Sequence, residues 1–299
     1  MSVSTRAPES TIACPACRSL VHRHLGRKDD YKLSECSICR IIFLNVQADR
    51  DEVRELYDHY YERARFELPP AAAASLERLV RSNEPFRKTN RWLDVGFGEG
   101  GLLGIAQHHG WFCYGTEVSP QALGYGQAQG WTVTNAQDDL LLPPAGFDVV
   151  TMIEFLEHAS APEQFLLAAA RWLRPGGLLY ITTPNAESLN RRFLGLQWSV
   201  FSPPEHVTIW TGRGLRLALT RAGFETRRIR TDGLNPTELI ARYRRRNQGA
   251  PPVHRNTSAF ALNSAFSSSP YRRGIKAGIN RALSALRIGD TLKVWAVRS

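Results

Sequence analysis

Residues 93–101 read LDVGFGEGG, a short apolar stretch that runs into a group of glycines. The apolar residues at its start suit a short strand, and a strand that runs through a glycine turn into a helix is typical of a βαβ unit. Glycine lets a ligand approach the backbone at the carboxyl end of a parallel strand. Glu117 follows Gly96 by 21 residues, and an acid after the second strand can accept hydrogen bonds from ribose hydroxyls. The stretch therefore predicts an α/β domain that binds a nucleoside.

The charges around this turn separate two classes of ligand. Gly96, Gly98 and Gly101 satisfy G-x-G-x-x-G, which equally admits a nicotinamide dinucleotide. A dinucleotide places its pyrophosphate on the turn, where Asp94 and Glu99 would set carboxylates beside phosphates. S-adenosylmethionine has no phosphate, and its sulfonium and ammonium attract carboxylates. The acids therefore favour S-adenosylmethionine.

Strand-like and helix-like segments alternate outward from the turn. Strands are predicted at residues 91–95, 111–116, 131–134, 147–152, 178–183, 224–230 and 291–297. Helical patterns lie between most of them, and this alternation predicts an α/β fold with a parallel sheet. We expect the final strand to return beside 224–230, which gives a Rossmann-like sheet with a reversed terminal strand.

Further motifs follow in order along the chain. Residues 94–100 read D-x-G-x-G-x-G, residues 147–150 read FDVV, and residues 173–177 read LRPGG. With Glu117, these motifs resemble class I S-adenosylmethionine-dependent methyltransferases over about residues 90–232. In that class the residues after the third strand contact adenine, and Asp138 lies there. The resemblance implies that the cofactor is bound by Asp94, Gly96, Gly98, Gly100, Glu117, Asp138 and Ile153.

An acceptor side is predicted after the fourth strand, where residues 152–158 read MIEFLEH. The E-x-x-E-H spacing resembles ubiquinone-type O-methyltransferases, in which these positions are associated with a divalent metal. On a helical turn Glu154, Glu157 and His158 would share one face. The three side chains would then hold a cation, or His158 would act as a general base. A further alternative is that Glu157 and His158 only stabilise the turn between strand and helix. An N-P-P-Y-like signature is absent from this position, which disfavours methylation of nucleic-acid bases.

A second acceptor-side candidate is the proline-rich stretch at residues 202–207, SPPEHV. His206 would take a proton from the attacking nucleophile, or it would serve only in packing. The candidate catalytic residues are thus Glu157, His158 and His206.

Two C-x-x-C pairs near the N-terminus predict a metal site. Cys14 and Cys17 are separated from Cys36 and Cys39 by 18 residues, within the spacing of a structural four-cysteine zinc ribbon. Four thiolates fill the tetrahedral shell of zinc, so this metal would hold the module together without catalysing a reaction. A zinc motif before a methyltransferase domain resembles bacterial methyltransferases that act on sugars.

Positive charge is concentrated at the C-terminal end. Residues 234–299 hold 12 Arg and Lys against two acids, which accounts for the whole net charge of +10. Residues 1–233 carry equal numbers of positive and negative side chains, and this zero net charge disfavours nucleic acid as a partner. A basic amphipathic helix at 272–287 would lie on an anionic membrane surface or pack on its own sheet. Since the sequence has neither a signal peptide nor a membrane span, we expect a cytoplasmic protein, with the inner membrane surface as one alternative.

The predicted organisation has four parts. Residues 1–48 form a zinc ribbon, 49–89 a helical linker, 90–232 the S-adenosylmethionine-binding core, and 233–299 a basic helical insertion with the last strand. The predicted function is methyl transfer to a small-molecule, sugar or lipid-linked acceptor, for which we expect a hydroxyl. Two competing hypotheses are a nicotinamide-dependent oxidoreductase and a nucleic-acid-binding zinc-ribbon protein.

Overall fold

The computed structural model describes residues 12–45, 68–135, 142–248 and 270–299. Strands and helices are numbered separately along the chain. A seven-stranded sheet dominates the molecule. Its strands, in spatial order, are β10 (Phe224–Asp232), β11 (Thr291–Arg298), β8 (Leu173–Pro184), β7 (Phe147–Ile153), β4 (Arg91–Val95), β5 (Phe112–Glu117) and β6 (Thr132–Asn135).

The strand pairings confirm a mostly parallel α/β sheet. Strands β4 to β8 pair in parallel, whereas β11 lies antiparallel between β8 and β10. The final strand therefore pairs beside the predicted strand 224–230, as expected. The predicted strand at 178–183 is longer in the structure, because β8 begins at Leu173 and includes the LRPGG run.

Helices cover both faces of the sheet because alternate strand residues point to opposite sides. The helices are α1 (Pro70–Ser82), α2 (Gly101–His108), α3 (Pro120–Ala128), α4 (Pro162–Trp172), α5 (Leu189–Leu194), α6 (Gly212–Arg221), α7 (Pro236–Gln248) and α8 (Pro270–Leu286). Leu93 and Val95 of β4 enter the core beneath α4 and α6, while Trp92, which precedes Leu93, enters the core beneath α1 and α2. Val80 of α1 is fully buried, so the described part of the predicted linker packs onto the core domain.

The N-terminal module is a small antiparallel sheet of β1 (His22–Lys28), β2 (Tyr31–Cys36) and β3 (Ile42–Leu44). A fourth strand, β9 (Thr208–Ile209), comes from the core domain and pairs with β3. The module is therefore joined to the core by a shared sheet, a connection that the sequence pattern did not indicate.

The C-terminal segment packs on its own sheet through α8. Leu283 of this helix is buried, and its carbonyl accepts a 2.9 Å hydrogen bond from the Thr231 hydroxyl of β10. Ile279 and Leu286 remain 48% and 67% exposed on the same helix. None of the helices in the described part of the chain has the length and apolar character needed to span a bilayer.

Candidate functional site

The glycine turn after β4 has the backbone geometry that only glycine adopts easily. Gly96, Gly98 and Gly100 have φ angles of +68°, +55° and +73°. A Cβ at Gly96 would lie 2.6 Å from the ring of Phe155, and one at Gly100 would lie 2.5 Å from the ring of Trp131. The turn therefore requires glycine both for its backbone conformation and because the rings of Phe155 and Trp131 pack directly against it.

Two buried carboxylates flank this turn. Asp94 is 4% exposed and accepts a 2.6 Å hydrogen bond from the Thr151 hydroxyl. Burial raises the pKa of Asp94 to about 7; the Thr151 hydrogen bond opposes this shift and the charge of Glu117 adds to it. A cation bound nearby would replace lost hydration and stabilise the charged form. The electrostatics thus fit a sulfonium and an ammonium and oppose a pyrophosphate.

Glu117 is fixed in place by backbone donors. Its two carboxylate oxygens accept hydrogen bonds from Gly98 N at 3.0 Å and from Val118 N at 2.7 Å. A carboxylate offers about four lone-pair positions, so it retains acceptor capacity for ribose hydroxyls. Ile153 ends β7 at the same carboxyl edge of the sheet, whereas Asp138 lies outside the described residues.

The three predicted catalytic residues come together in space. A carboxylate oxygen of Glu157 and one ring nitrogen each of His158 and His206 all lie within 4.8 Å of one another. The two rings meet edge to face with centroids 4.6 Å apart. The chain links the cluster to the glycine turn, since Phe155, whose ring packs against Gly96, precedes Glu157 by two residues.

The hydrogen bonds of the two imidazoles define their tautomers. Nδ1 of His158 lies 3.0 Å from the carbonyl oxygen of Glu205, and Nδ1 of His206 lies 2.7 Å from that of Val200. A carbonyl oxygen only accepts, so each Nδ1 carries a proton and donates it. In the neutral rings Nε2 is then the nitrogen that can accept a proton or bind a cation.

The expectation that Glu154 shares a face with Glu157 and His158 is wrong. Glu154 adopts a left-handed conformation with φ +49°, so the chain turns away from β7 instead of continuing as a helix. Its side chain accepts a 2.9 Å hydrogen bond from the Thr182 hydroxyl of β8. His206, from the second candidate stretch, takes the third position in the cluster instead.

Several contacts that sequence reasoning missed hold this cluster together. The Thr183 hydroxyl donates to Oε2 of Glu157 at 2.9 Å. The backbone N–H groups of Val207 and Thr208 donate to the Glu157 carbonyl at 2.8 and 3.1 Å. Small hydroxyl residues at strand ends and amides of an irregular loop carry no sequence signature of their own.

The four predicted metal ligands also come together. The sulfurs of Cys14 and Cys39 lie 3.4 Å apart, those of Cys17 and Cys36 lie 3.5 Å apart, and all four lie within 4.8 Å. A zinc ion bound by four thiolates at about 2.3 Å separates its sulfurs by roughly 3.8 Å. The donor type and spacing of the cluster therefore fit a tetrahedral metal.

Comparison with known proteins agrees with the fold and the cofactor side. A family model described as a methyltransferase domain matches residues 57–229. A ubiquinone biosynthesis O-methyltransferase of Azoarcus sp. (strain BH72) is 38% identical over 118 residues, which cover 36% of this chain and 48% of that enzyme. Its counterpart in Rhizobium rhizogenes is 31% identical over 194 residues, covering 62% of this chain and 69% of that enzyme.

A solved structure supports the fold alone. The S-adenosylmethionine-dependent methyltransferase of Archaeoglobus fulgidus superposes with a TM-score of 0.50 at 18% identity, covering 82% of this chain and 99% of that one.

Because the family model matches residues 57–229, the chain belongs to the methyltransferase domain family, as a class I S-adenosylmethionine-dependent methyltransferase. This assignment sets aside the oxidoreductase hypothesis.

Proposed function

We propose that this chain transfers the methyl group of S-adenosylmethionine to a hydroxyl of a small-molecule, sugar or lipid-linked acceptor. The observation that carries the proposal is the cluster of Glu157, His158 and His206, which the chain links to the glycine turn through Phe155. Two relatives that align with this chain are O-methyltransferases, which supports oxygen as the methylated atom.

The cofactor supplies an electrophilic methyl group on a positively charged sulfur. Asp94 attracts the cationic part of the ligand, and Glu117 accepts hydrogen bonds from its ribose. Ile153 adds an apolar surface at the end of β7. These residues orient the methyl group toward the acceptor side, which in-line displacement requires.

On the acceptor side, an imidazole removes the hydroxyl proton. The acceptor O–H bond breaks as its proton passes to Nε2 of His206 or His158, and the oxygen forms a bond to the methyl carbon as the carbon–sulfur bond breaks. The Glu157 carboxylate stabilises the resulting imidazolium. The same three ligand atoms suit a divalent cation, which would acidify the hydroxyl directly.

For the N-terminal module we propose that Cys14, Cys17, Cys36 and Cys39 hold a structural zinc ion. The spacing of the four sulfurs and the burial of Cys14, Cys36 and Cys39 support this assignment. With four protein ligands the ion has no open position, so its role is to stabilise the module.

The C-terminal segment is proposed to contact an anionic membrane surface, at the inner face of the membrane, where a lipid-linked acceptor would be presented. The exposed Ile279 and Leu286 and the concentration of positive charge in residues 234–299 support this contact.

The test is a methyl-transfer assay with S-adenosylmethionine labelled in its methyl group and a panel of catechols, quinols, sugar nucleotides and amines. We expect labelled product with a hydroxyl acceptor. Glu157→Gln and His206→Gln should each lower the rate by about a hundredfold without weakening S-adenosylhomocysteine binding. His24→Gln, at an exposed histidine of β1, is the matched control.

Methylation of amines alone would overturn the hydroxyl assignment. Wild-type rates in both Glu157→Gln and His206→Gln would remove the cluster from the mechanism. A rate that depends on added Mg²⁺ would assign the cluster to a cation in place of a general base.

A further inference from the structure

The N-terminal module reaches the acceptor side through a pair of short strands. Ile42 of β3 pairs with Ile209 of β9, and Phe43 pairs with Thr208. The N–H of Leu44 donates to the Val207 carbonyl at 3.0 Å. Val207 directly follows His206, so β3 is hydrogen-bonded to the backbone next to a proposed catalytic residue.

The same loop is bonded to Glu157 on its other side. Val207 and Thr208 donate their N–H groups to the Glu157 carbonyl, while the Val207 carbonyl accepts from Leu44. Two backbone segments, one from the module and one from the turn after β7, therefore hold the His206 loop between them.

A second link runs from the cysteine cluster itself. The Thr211 hydroxyl donates to the Cys39 carbonyl at 2.7 Å and accepts from Gly214 N at 2.9 Å, so it both caps α6 and binds a proposed metal ligand residue. In addition to these hydrogen bonds, Ile42 and Leu44 of β3 pack in one hydrophobic cluster with Trp198.

The glycine turn after β4 is held by different contacts from those that hold the His206 loop. Gly96 N and Phe97 N donate to the Thr116 carbonyl, and Gly98 N donates to Glu117, so β5 fixes this turn. The two halves of the site are therefore anchored by different parts of the molecule.

From these contacts we infer that the metal-loaded cysteine module is a positioning device for the acceptor side. The metal fixes the chain from Cys39 to β3, and β3 with Thr211 holds His206 beside Glu157. Loss of the metal releases the His206 loop and leaves cofactor binding intact. This inference rests on the proposed function for its catalytic consequence.

The direct test is hydrogen exchange of the zinc-loaded protein before and after removal of zinc with a chelator. We expect the amides of Val207 and Thr208 to exchange at least about tenfold faster without zinc. The amides of Gly96, Phe97 and Gly98 should keep their protection, and the affinity for S-adenosylhomocysteine should not change. Equal protection of Val207 and Thr208 in both forms would overturn the inference, and so would a matching loss of protection in the cofactor turn.

A pair of variants tests the link without touching the cysteines. Leu44→Pro removes the N–H that bonds to Val207, and its extended neighbour Phe43 is compatible with a following proline. Leu44→Ala removes more of the buried side chain than Leu44→Pro does, and it keeps the N–H. Both variants should retain one zinc per chain and bind S-adenosylhomocysteine normally.

We expect Leu44→Pro to lower kcat for methyl transfer at least about tenfold below that of Leu44→Ala, with the KM for S-adenosylmethionine unchanged. Equal kcat values in the two variants, or a raised KM for S-adenosylmethionine in Leu44→Pro alone, would contradict the positioning role. The exchange experiment needs no acceptor, so it decides the coupling even if the hydroxyl assay fails.

Discussion

Asp94 is both a buried residue of the core and the proposed contact for the cationic part of the ligand. Its carboxylate is buried at the end of β4, bonded to Thr151 and close to Glu117. The sequence predicted its role from charge sign alone. The hydrogen bond to Thr151 and the mutual repulsion of two buried acids required the structure, because they depend on which strands are neighbours.

The raised pKa of Asp94 makes cofactor affinity depend on pH. In the free protein its carboxyl is protonated below about pH 7, and a bound cation favours the charged form. Binding therefore releases a proton, and affinity for S-adenosylmethionine should fall by about tenfold per pH unit below this midpoint. Calorimetric titrations between pH 5.5 and 8.5, roughly centred on that midpoint, would measure it.

Asp94→Asn is the control for this pH dependence. The variant should bind S-adenosylmethionine more weakly at pH 8, with an affinity that does not change between about pH 6 and 8. A wild-type affinity that is flat across this range would contradict a titrating Asp94.

Glycine at position 100 is required by both φ and space. Gly100→Ala would force a side chain into a φ of +73° and against Trp131, so we expect lower stability and loss of cofactor binding. Gly124→Ala, inside α3 with no atom within 4 Å of the added methyl, should instead raise the free energy of unfolding by about 0.5–1 kcal/mol. Urea unfolding of both variants measures the contrast, and equal effects would contradict it.

Among the elements of the fold, a buried carboxylate joins β7 and β8 to the loop that precedes β4. Asp148 of β7 is fully buried and accepts hydrogen bonds from Lys88 N, Thr89 N and Arg174 Nε, all within 2.8 Å. Burial alone would raise the pKa of Asp148, but the bonds from Lys88, Arg174 and Thr89 outweigh it and lower the pKa. The charged carboxylate is therefore part of the folded structure at neutral pH.

We expect Asp148→Asn to lower the free energy of unfolding by about 3 kcal/mol at pH 7. Glu163→Gln, which affects the more exposed ion pairs to Arg18 and Arg221, should cost less than about 1 kcal/mol. The Asp148 contribution should be present above the unfolded-state pKa and disappear as pH falls through the lowered folded-state value. Urea midpoints that are equal in the two variants would refute this assignment.

The central strands β4, β7 and β8 were predictable because each contains an apolar run. Strand β4 was predicted at its observed bounds, Arg91–Val95. Strand β9 was not predicted, since two residues have no periodicity and its partner β3 lies more than 160 residues earlier. The meeting of Glu157 with His206 depends on the path of that same loop, so spacing alone could not reveal it. The prediction that Glu154 shares a face with Glu157 and His158 was wrong because Glu154 itself adopts a left-handed conformation, which ends the expected helical turn.

For the whole molecule, positive charge is concentrated in residues 234–299, and the same segment exposes the apolar side chains of Ile279 and Leu286. If this segment meets an anionic bilayer, the protein should sediment with vesicles that contain phosphatidylglycerol and not with vesicles of phosphatidylcholine alone. Binding should weaken as salt screens the charges. Leu286→Ser, at a residue 67% exposed, should reduce the bound fraction relative to Leu20→Ser in the N-terminal module. Equal binding of the two variants would contradict the contact.

We propose that the N-terminal module and the core act as one functional unit, in which the core binds the cofactor and the module positions the acceptor side. We propose that cofactor recognition depends on the glycine turn, Asp94 and Glu117. Two backbone hydrogen bonds fix the Glu117 carboxylate beside the turn.

The most direct measurement is a calorimetric titration of the zinc-loaded protein and its Glu117→Ala variant with S-adenosylhomocysteine, with NADH as the competing ligand. We expect one-to-one binding of S-adenosylhomocysteine that is lost in Glu117→Ala, and no binding of NADH. Tighter binding of NADH, or S-adenosylhomocysteine affinity that is unchanged in Glu117→Ala, would contradict this expectation.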